Sequence, residues 1–326
     1  MKTYKHLIAA CTAAALAMAA SYTAHAQQQF PTKPIRLIVP FSAGSVTDIL
    51  ARLIGQKMSE SWGQQVVVDN RPGAGAIVGS QALLASNPDG HTLMMVSNAH
   101  AISATLYSKL PYDTVRDFAA ISQVASGSVV WVVSKDLGVK TLKELIALAK
   151  SRPGKIDFGT AGVGSASHIQ GELLKMETGI DVRHVAYKGP VEAMTDTIGG
   201  RIGIALVGPA AAAPFIKDGR AVALGVSTAA RTPMLPNVPT IAEAGVPGHE
   251  FDVWFGMFAP AKTPRAVVAQ LSKEVARIVE LPEVKERMSS FGSVPKSSTP
   301  EQFDAFVRSE VQKLGKVIRA ANVRIE

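Results

Sequence analysis

From residue 35 onward the chain alternates short apolar runs with stretches whose apolar positions recur every three or four residues. Apolar runs at 35–40, 65–69, 92–97, 129–134, 156–159, 182–185, 202–207 and 221–226 have the length and the Val/Ile content of strands. Helical periodicity follows over 47–60, 76–86, 141–151, 166–178, 190–198 and 211–218, and helices over 264–280, 282–290 and 300–320 close the chain. Such alternation predicts an α/β architecture with mostly parallel sheets. Two long strand-like segments, 119–133 and 222–228, suit crossings between two lobes, and the Pro-rich RTPMLPNVPT at 231–240 starts the return. The expected organisation is a discontinuous first lobe, 27–125 plus 229–326, with a second lobe, 126–228, inserted in it.

Three strand-to-helix junctions carry the candidate chemistry. In PFSAGSVTDI, Gly44 makes a turn and Ser45-Val46-Thr47-Asp48 matches the capping pattern [ST]-x-x-[DE] ahead of an apolar-periodic helix. The pattern recurs in GTAGVGSASHIQGEL, where Ser167-x-x-Gln170 is the expected capping box. In VAYKGPVEAM, Gly189 suits an N-cap, Pro190 suits the first helical position, and Lys188 stands at the mouth of the turn. Ligands of open α/β sheets bind beyond the carboxyl ends of the strands, where helix N-termini offer unpaired N–H groups. Two lobes each presenting such a turn would clamp a carboxylate. The plain alternative, that Ser45 and Asp48 only cap their helix, stays open on these residues alone.

Composition narrows the setting. Lys2 and Lys5, the apolar stretch 7–20 and Ala24-His25-Ala26 form a secretory signal peptide cleaved after Ala26. A lipoprotein box at Ile8-Ala9-Ala10-Cys11 is the rival reading, but most of the apolar region follows the cysteine. Cys11 is the one cysteine, so the mature chain has neither disulfide nor thiolate, and the expected compartment is the periplasm. The net charge of +8 falls to +6 on cleavage, the basic residues are scattered, and aromatic content is 6%; this favours small anions over nucleic acid.

Other chemistries lack their spacing. Gly73-Ala74-Gly75 and Gly79 follow a strand, but the third glycine is one residue late for a dinucleotide fingerprint, so no cofactor is expected. No G-x-S-x-G elbow occurs, and Ser165 is better flanked as a cap. The histidines at 91, 100, 168, 184 and 249 fall in no metal-ligand spacing. No carboxylate pair stands out as an acid/base dyad. His100, in the turn after a strand, and His168, in the first turn of its helix, are candidates to face the cleft. Trp131 and Trp254 are expected near cleft or hinge. An exported α/β hydrolase remains the rival class, with a ligand-presenting sensor as a third reading.

PFSAGSVTDI, VVVDNRPGAGAIVG, PDGHTLMM, LPYDTVRDF, GSASHIQGEL, VAYKGP, LPNVPTIAEAG and WFGMFAPAKTP occur in that order. Together they resemble the extracytoplasmic solute receptors of tripartite tricarboxylate transporters, the Bordetella uptake gene family, over residues 30–320. The resemblance implies a two-lobed type II periplasmic binding protein fold with the ligand cleft between the lobes, no catalysis, and a membrane permease as partner; a monomer is expected. It implies a small carboxylate held by Phe41, Ser42, Ala43, Gly44, Ser45 and Asp48, by Gly162, Gly164, Ser165 and Ser167, and by Tyr187, Lys188 and Gly189. The turn Ser97, Asn98, Ala99 and His100 would line the same cleft.

Two departures matter. Ser45 and Val46 stand where the family often has further glycines, and Gly203, Val207 and Gly208 stand where many members have acidic or amide residues. An amino-acid ligand needs acceptors for its ammonium, and an unpaired buried charge is costly. The expected ligand is therefore a carboxylate with an apolar or aromatic body, or a dicarboxylate; an amino-acid or citrate-type ligand is the alternative.

Overall fold

The computed structural model describes residues 30–325; the expected signal peptide lies outside the described residues. The strands are β1 (Ile35–Val39), β2 (Val66–Asn70), β3 (Thr92–Ser97), β4 (Phe118–Gly127), β5 (Val130–Ser134), β6 (Asp157–Thr160), β7 (Arg183–Ala186), β8 (Ile204–Val207), β9 (Ala221–Val226), β10 (Val253–Pro260) and β11 (Ser293–Pro295). They form two sheets, one ordered β11-β4-β10-β3-β1-β2 and the other β7-β6-β8-β5-β9. The α-helices are α1 (Val46–Trp62), α2 (Ile77–Leu84), α3 (Ala99–Leu106), α4 (Leu142–Ser151), α5 (Ala166–Thr178), α6 (Pro190–Ile198), α7 (Pro209–Lys217), α8 (Arg265–Val279), α9 (Pro282–Ser289) and α10 (Pro300–Ala320).

Each sheet is covered on both faces, as an apolar strand requires. Leu37 and Val39 pack with Leu50, Ile54 and Met58 of α1 and with Leu271 and Val275 of α8. Ile38, one residue out of phase, joins Met94, Val96, Phe303 and Leu314 on the other face. Ile169 and Leu173 of α5 belong to that same cluster, so the second lobe packs directly on the first. In the second sheet, Trp131 and Phe158 lie on one face and Val130 and Val132 on the other.

The expectation of mostly parallel pairing holds for β2–β1–β3 and for β7–β6–β8 only. β10 runs antiparallel to β3 and β4, and β5 runs antiparallel to β8 and β9. These are the strands that carry the chain between lobes, and a strand that has crossed returns in the opposite sense.

α3, β10 and β11 went unpredicted. Asn98 caps α3 with helical dihedrals and no side-chain bond, which leaves no capping signature. β10 is buried along nearly its whole length between β3 and β4, so it shows no polar alternation.

Ser227 ties the crossings together. Its N–H donates to Val129 O (2.9 Å), its hydroxyl donates to Phe251 O (2.8 Å), and its Oγ and O accept the N–H groups of Val129 (2.9 Å) and Phe251 (2.8 Å). The outgoing link, Ser128–Val129, is two residues long and held against the returning chain by this fully buried serine. Trp131 and Trp254 sit just beyond these crossings with fully buried indoles.

Candidate functional site

β1 runs into the turn 41–45, and α1 begins behind it. Gly44 adopts φ +81°, a conformation that suits glycine, and Ser45 is the N-cap whose Oγ accepts the Asp48 N–H at 3.3 Å. Asp48 reaches back to accept the Gly44 N–H (2.9 Å) and also accepts from Arg52 (Nε, 3.1 Å) and from Asn70 (Nδ2, 2.9 Å). Burial pushes its carboxyl up, and the bonds from Arg52, Gly44 and Asn70 outweigh burial and hold it below the usual carboxylate range. Asp48 is 2% exposed with both oxygens occupied. It shapes the turn and does not line the cavity described below.

The second lobe repeats the device with different chemistry. Ser165 is the N-cap of α5 and accepts the His168 N–H at 3.2 Å. The Gly164 N–H donates to His168 Nδ1 at 3.0 Å. The expected Ser167–Gln170 box does not form. Ser167 Oγ lies 3.1 Å from Ser165 Oγ and accepts the Ala161 N–H at 3.3 Å, whereas Gln170 points into the lobe core. The His168 ring stacks on His184 at 3.7 Å. Burial, then His184 and Lys175, push His168 down to about 3, and burial, then Lys175, push His184 down to about 4. Both rings are neutral near pH 7, which keeps Nδ1 of His168 an acceptor for Gly164. His168 therefore holds the turn and does not line the cavity described below.

α6 and α7 start from Gly189 and Gly208, each followed by proline. Proline at the first helical position has no N–H to leave unpaired. The N-termini of α1, α5, α6 and α7 converge on one cavity of about 200 Å³, lined among others by Val46, Ala166, Pro190 and Pro209. Its apolar wall comes from Val207, Val253, Phe255 and Phe291, and its hydroxyls from Ser128, Ser165, Ser167 and Ser293. No ionisable side chain is among the described residues lining it. Ser128 is 5% exposed and its Oγ has no protein partner. Free N–H groups at helix starts, hydroxyls and an apolar wall can hold a carboxylate and cannot neutralise a cation.

Of the residues expected at the site, Ser165, Ser167, Val207 and Gly208 line this cavity. Ser42, Ala43 and Gly44 form an exposed turn, and Val46 is the residue beside them that lines the cavity. Phe41 packs partly into the first-lobe core; Gly162 and Gly164 shape their turn. Ser45 serves as a cap, and Ser97 Oγ accepts the Ala99 N–H at 3.3 Å. Asn98 is buried at the start of α3.

His100 is a correction. Its ring is buried in the first lobe between Phe118 and Phe258, Nε2–H donates to Thr114 O at 2.8 Å, and burial pushes it down to about 4. α3 turns it inward. Tyr187 does not line the cavity either: its hydroxyl donates to Asp196 at 2.9 Å, and burial followed by Asp196 pushes it up to about 12. Lys188 is exposed, and neither it nor Gly189 lines the cavity.

The residues missed are Ser128 at the crossing, Val253 and Phe255 on β10, and Phe291 and Ser293 around β11. β10 and β11 were not predicted, so no local signal pointed their side chains at the cleft. Among the described residues, no helix is long and apolar enough to cross a membrane.

A profile of the family described as "Tripartite tricarboxylate transporter family receptor" matches residues 50–323. The chain is 38% identical over 306 residues to the "UPF0065 protein in tcbD-tcbE intergenic region" of Pseudomonas sp. (strain P51), covering 93% of this chain and 91% of that one. R. palustris Rpa4515, solved with adipate, is similar at a TM-score of 0.80 and 33% identity, covering 91% of this chain and 100% of that one. MatC from Rhodopseudomonas palustris, solved with bound malate, is similar at a TM-score of 0.75 and 28% identity, covering 89% of this chain and 100% of that one.

Proposed function

Because this chain belongs to the tripartite tricarboxylate transporter receptor family, we propose that it captures a small carboxylate in the periplasm and delivers it to a membrane permease. It is a solute-binding receptor and not an enzyme, as its relatives are. The ligand class we assign is a carboxylate with an apolar body, either a dicarboxylate or an aromatic acid.

The observation that carries this reading is the cavity itself. Four helix N-termini face a space of about 200 Å³ whose walls include Phe255, Phe291, Val253 and Val207, with no ionisable side chain. A carboxylate placed there meets free N–H groups and the Ser165 and Ser167 hydroxyls; its carbon body meets the two phenylalanines. A second carboxylate fits on another of the four N-termini. An α-amino group would find no carboxylate partner in the cleft, and the desolvation of its charge would stand uncompensated. The adipate bound by one relative and the malate bound by another support the ligand class.

Capture works by contact with both lobes. Val46 and Phe255 come from the first lobe, and Ser165 and Val207 from the second. A ligand touching both stabilises the closed arrangement by its differential affinity for it. The closed receptor, a monomer in this reading, then presents its ligand to the permease.

The test is a thermal-shift screen of the purified protein against aliphatic dicarboxylates, aromatic acids and amino acids. A ligand at about 100 times its dissociation constant adds about 2.7 kcal/mol. A response confined to dicarboxylates or aromatic acids is expected. A response to amino acids alone would overturn the ligand class, and hydrolysis of any ester member would overturn the receptor reading.

A further inference from the structure

β4 is covered on its outer edge along only part of its length. β11 pairs with it at Ala125, Ser126 and Gly127. The chain that follows stays beside it as far as two more bonds: Lys296 N–H donates to Val124 O at 3.1 Å, and Ser298 Oγ accepts the Gln123 N–H at 3.0 Å. Beyond these, among the described residues, no strand pairs with the outer edge at the start of β4.

Register says which backbone groups are left over. Ala261 N–H donates to Asp117 O at 3.0 Å, so Asp117, and by alternation Ala119, turn their groups towards β10. Phe118 and Ala120 turn theirs the opposite way, to the open edge. Their N–H and C=O groups have no hydrogen-bond partner among the described residues.

This edge is the floor of a groove of about 1240 Å³. α8 stands on one side, where Val268 packs in one core with Ile121 and Val124. α10 stands on the other, where Phe303 and Val307 pack with Phe118 and Ala120. Ala269, Ser272 and Ala276 of α8 are small, so a main chain can come close to the edge. An edge with free N–H and C=O groups is a template for an added strand. Recessed between two helices, it is out of reach of the same recessed edge on a second copy, whereas a single extended segment fits.

Charge selects the segment. Arg116 and Arg308 line the groove but are paired, with Asp113 and Asp304, each at 2.7 Å. Arg265 and Lys273 are exposed and have no acid partner among the described residues. Glu301, also on the wall, lies in the first turn of α10, where the helix N-terminus answers its charge. Arg265, Ala269 and Lys273 form one row along α8, which sets the two cations about 12 Å apart. Residues four apart on one face of an extended strand are about 13 Å apart.

We propose that this groove binds an extended acidic peptide segment of a partner protein, added as a strand beside Phe118–Ala120 with two carboxylates, four residues apart, on Arg265 and Lys273. No residue of the groove lines the cleft, so the site is separate from carboxylate capture.

The probe is the peptide acetyl-TETVTET-amide, titrated calorimetrically into the protein. Saturable binding is expected, with none for the lysine counterpart TKTVTKT. Two further versions are N-methylated at alternate residues, one in each register; the one whose donors face the edge should fail. Arg265→Ala combined with Lys273→Ala should weaken binding about fivefold. Ala120→Pro removes one edge donor at a position where proline is tolerated, and should abolish peptide binding while the response to carboxylates persists. No saturable binding of TETVTET, equal binding of TKTVTKT, or binding of both methylated versions overturns the site.

Discussion

Asp48 and His168 hold the same place in two different helices. Each is the third residue of its helix, each receives the N–H of a glycine four positions earlier, at 2.9 Å from Gly44 and 3.0 Å from Gly164, and each follows a serine N-cap. The two lobes thus shape their helix-entry turns with one hydrogen-bond geometry built from unlike chemistry, an anion in one lobe and a neutral imidazole in the other.

Asp48 makes the first turn sensitive to acid. Its folded carboxyl is held below the ordinary value, so its contribution is present above that ordinary value and is lost as pH falls through the folded one. Asp48→Asn keeps the side-chain shape and loses the charged acceptor for Arg52 and Gly44. The variant is expected to be less stable at neutral pH by about 1–2 kcal/mol, with a flatter acid limb. Urea midpoints measured from pH 7 to pH 2 check both.

The stacked pair His168 and His184 responds at higher pH. Their folded values, about 3 and about 4, lie below that of an unfolded histidine, so the unfolded chain binds more protons on the way down. Stability should therefore fall as pH drops from about 6.5 towards 4. Protonated His168 also ceases to accept from Gly164, so carboxylate affinity should fall only below that range, as pH approaches about 3. His184→Gln removes one of the two stacked rings and should reduce the slope of stability against pH. An unchanged slope in thermal melts would count against this account.

Gly164 sets how closely the lobes approach. Its φ is +74°, and a Cβ placed there would stand 2.3 Å from Leu106 Cδ2 on the first lobe. Gly164→Ala should weaken carboxylate binding at least tenfold by holding the lobes apart, with a further cost of about 1 kcal/mol in stability from the left-handed backbone. Adding Leu106→Ala relieves the contact and should restore much of the affinity but none of the backbone cost. Calorimetric titration of the single and double variants separates the two effects.

A buried donor chain joins the second lobe to the returning segment. Trp131 Nε1–H donates to Gln170 Oε1 at 2.7 Å, Gln170 Nε2 donates to His249 Nε2 at 3.2 Å, and His249 Nδ1–H donates to Glu177 at 2.5 Å. An indole only donates, which fixes the amide orientation and in turn the imidazole tautomer. Gln170→Leu orphans the indole and the imidazole at once. It is expected to cost about 3 kcal/mol, read from urea unfolding followed by tryptophan fluorescence.

Local signals were enough for the turns and most elements. Gly44, Gly164, Ser45, Ser165 and the Gly-Pro starts of α6 and α7 encode their conformations within a few residues, because a positive φ, a cap and a proline act on the adjacent backbone. The alternation of apolar runs therefore revealed the α/β class, and eight ordered segments revealed the family. Tertiary structure alone decided which side chains line the cavity. Phe255 and Phe291 reach the cleft because β10 pairs with both β3 and β4 and β11 pairs with β4, contacts between residues more than a hundred positions apart. His100 and Tyr187 turn away because the core and Asp196 claim them first. A side chain's direction follows from which face of a sheet is buried and which lobe approaches, and neither is written in the residues beside it.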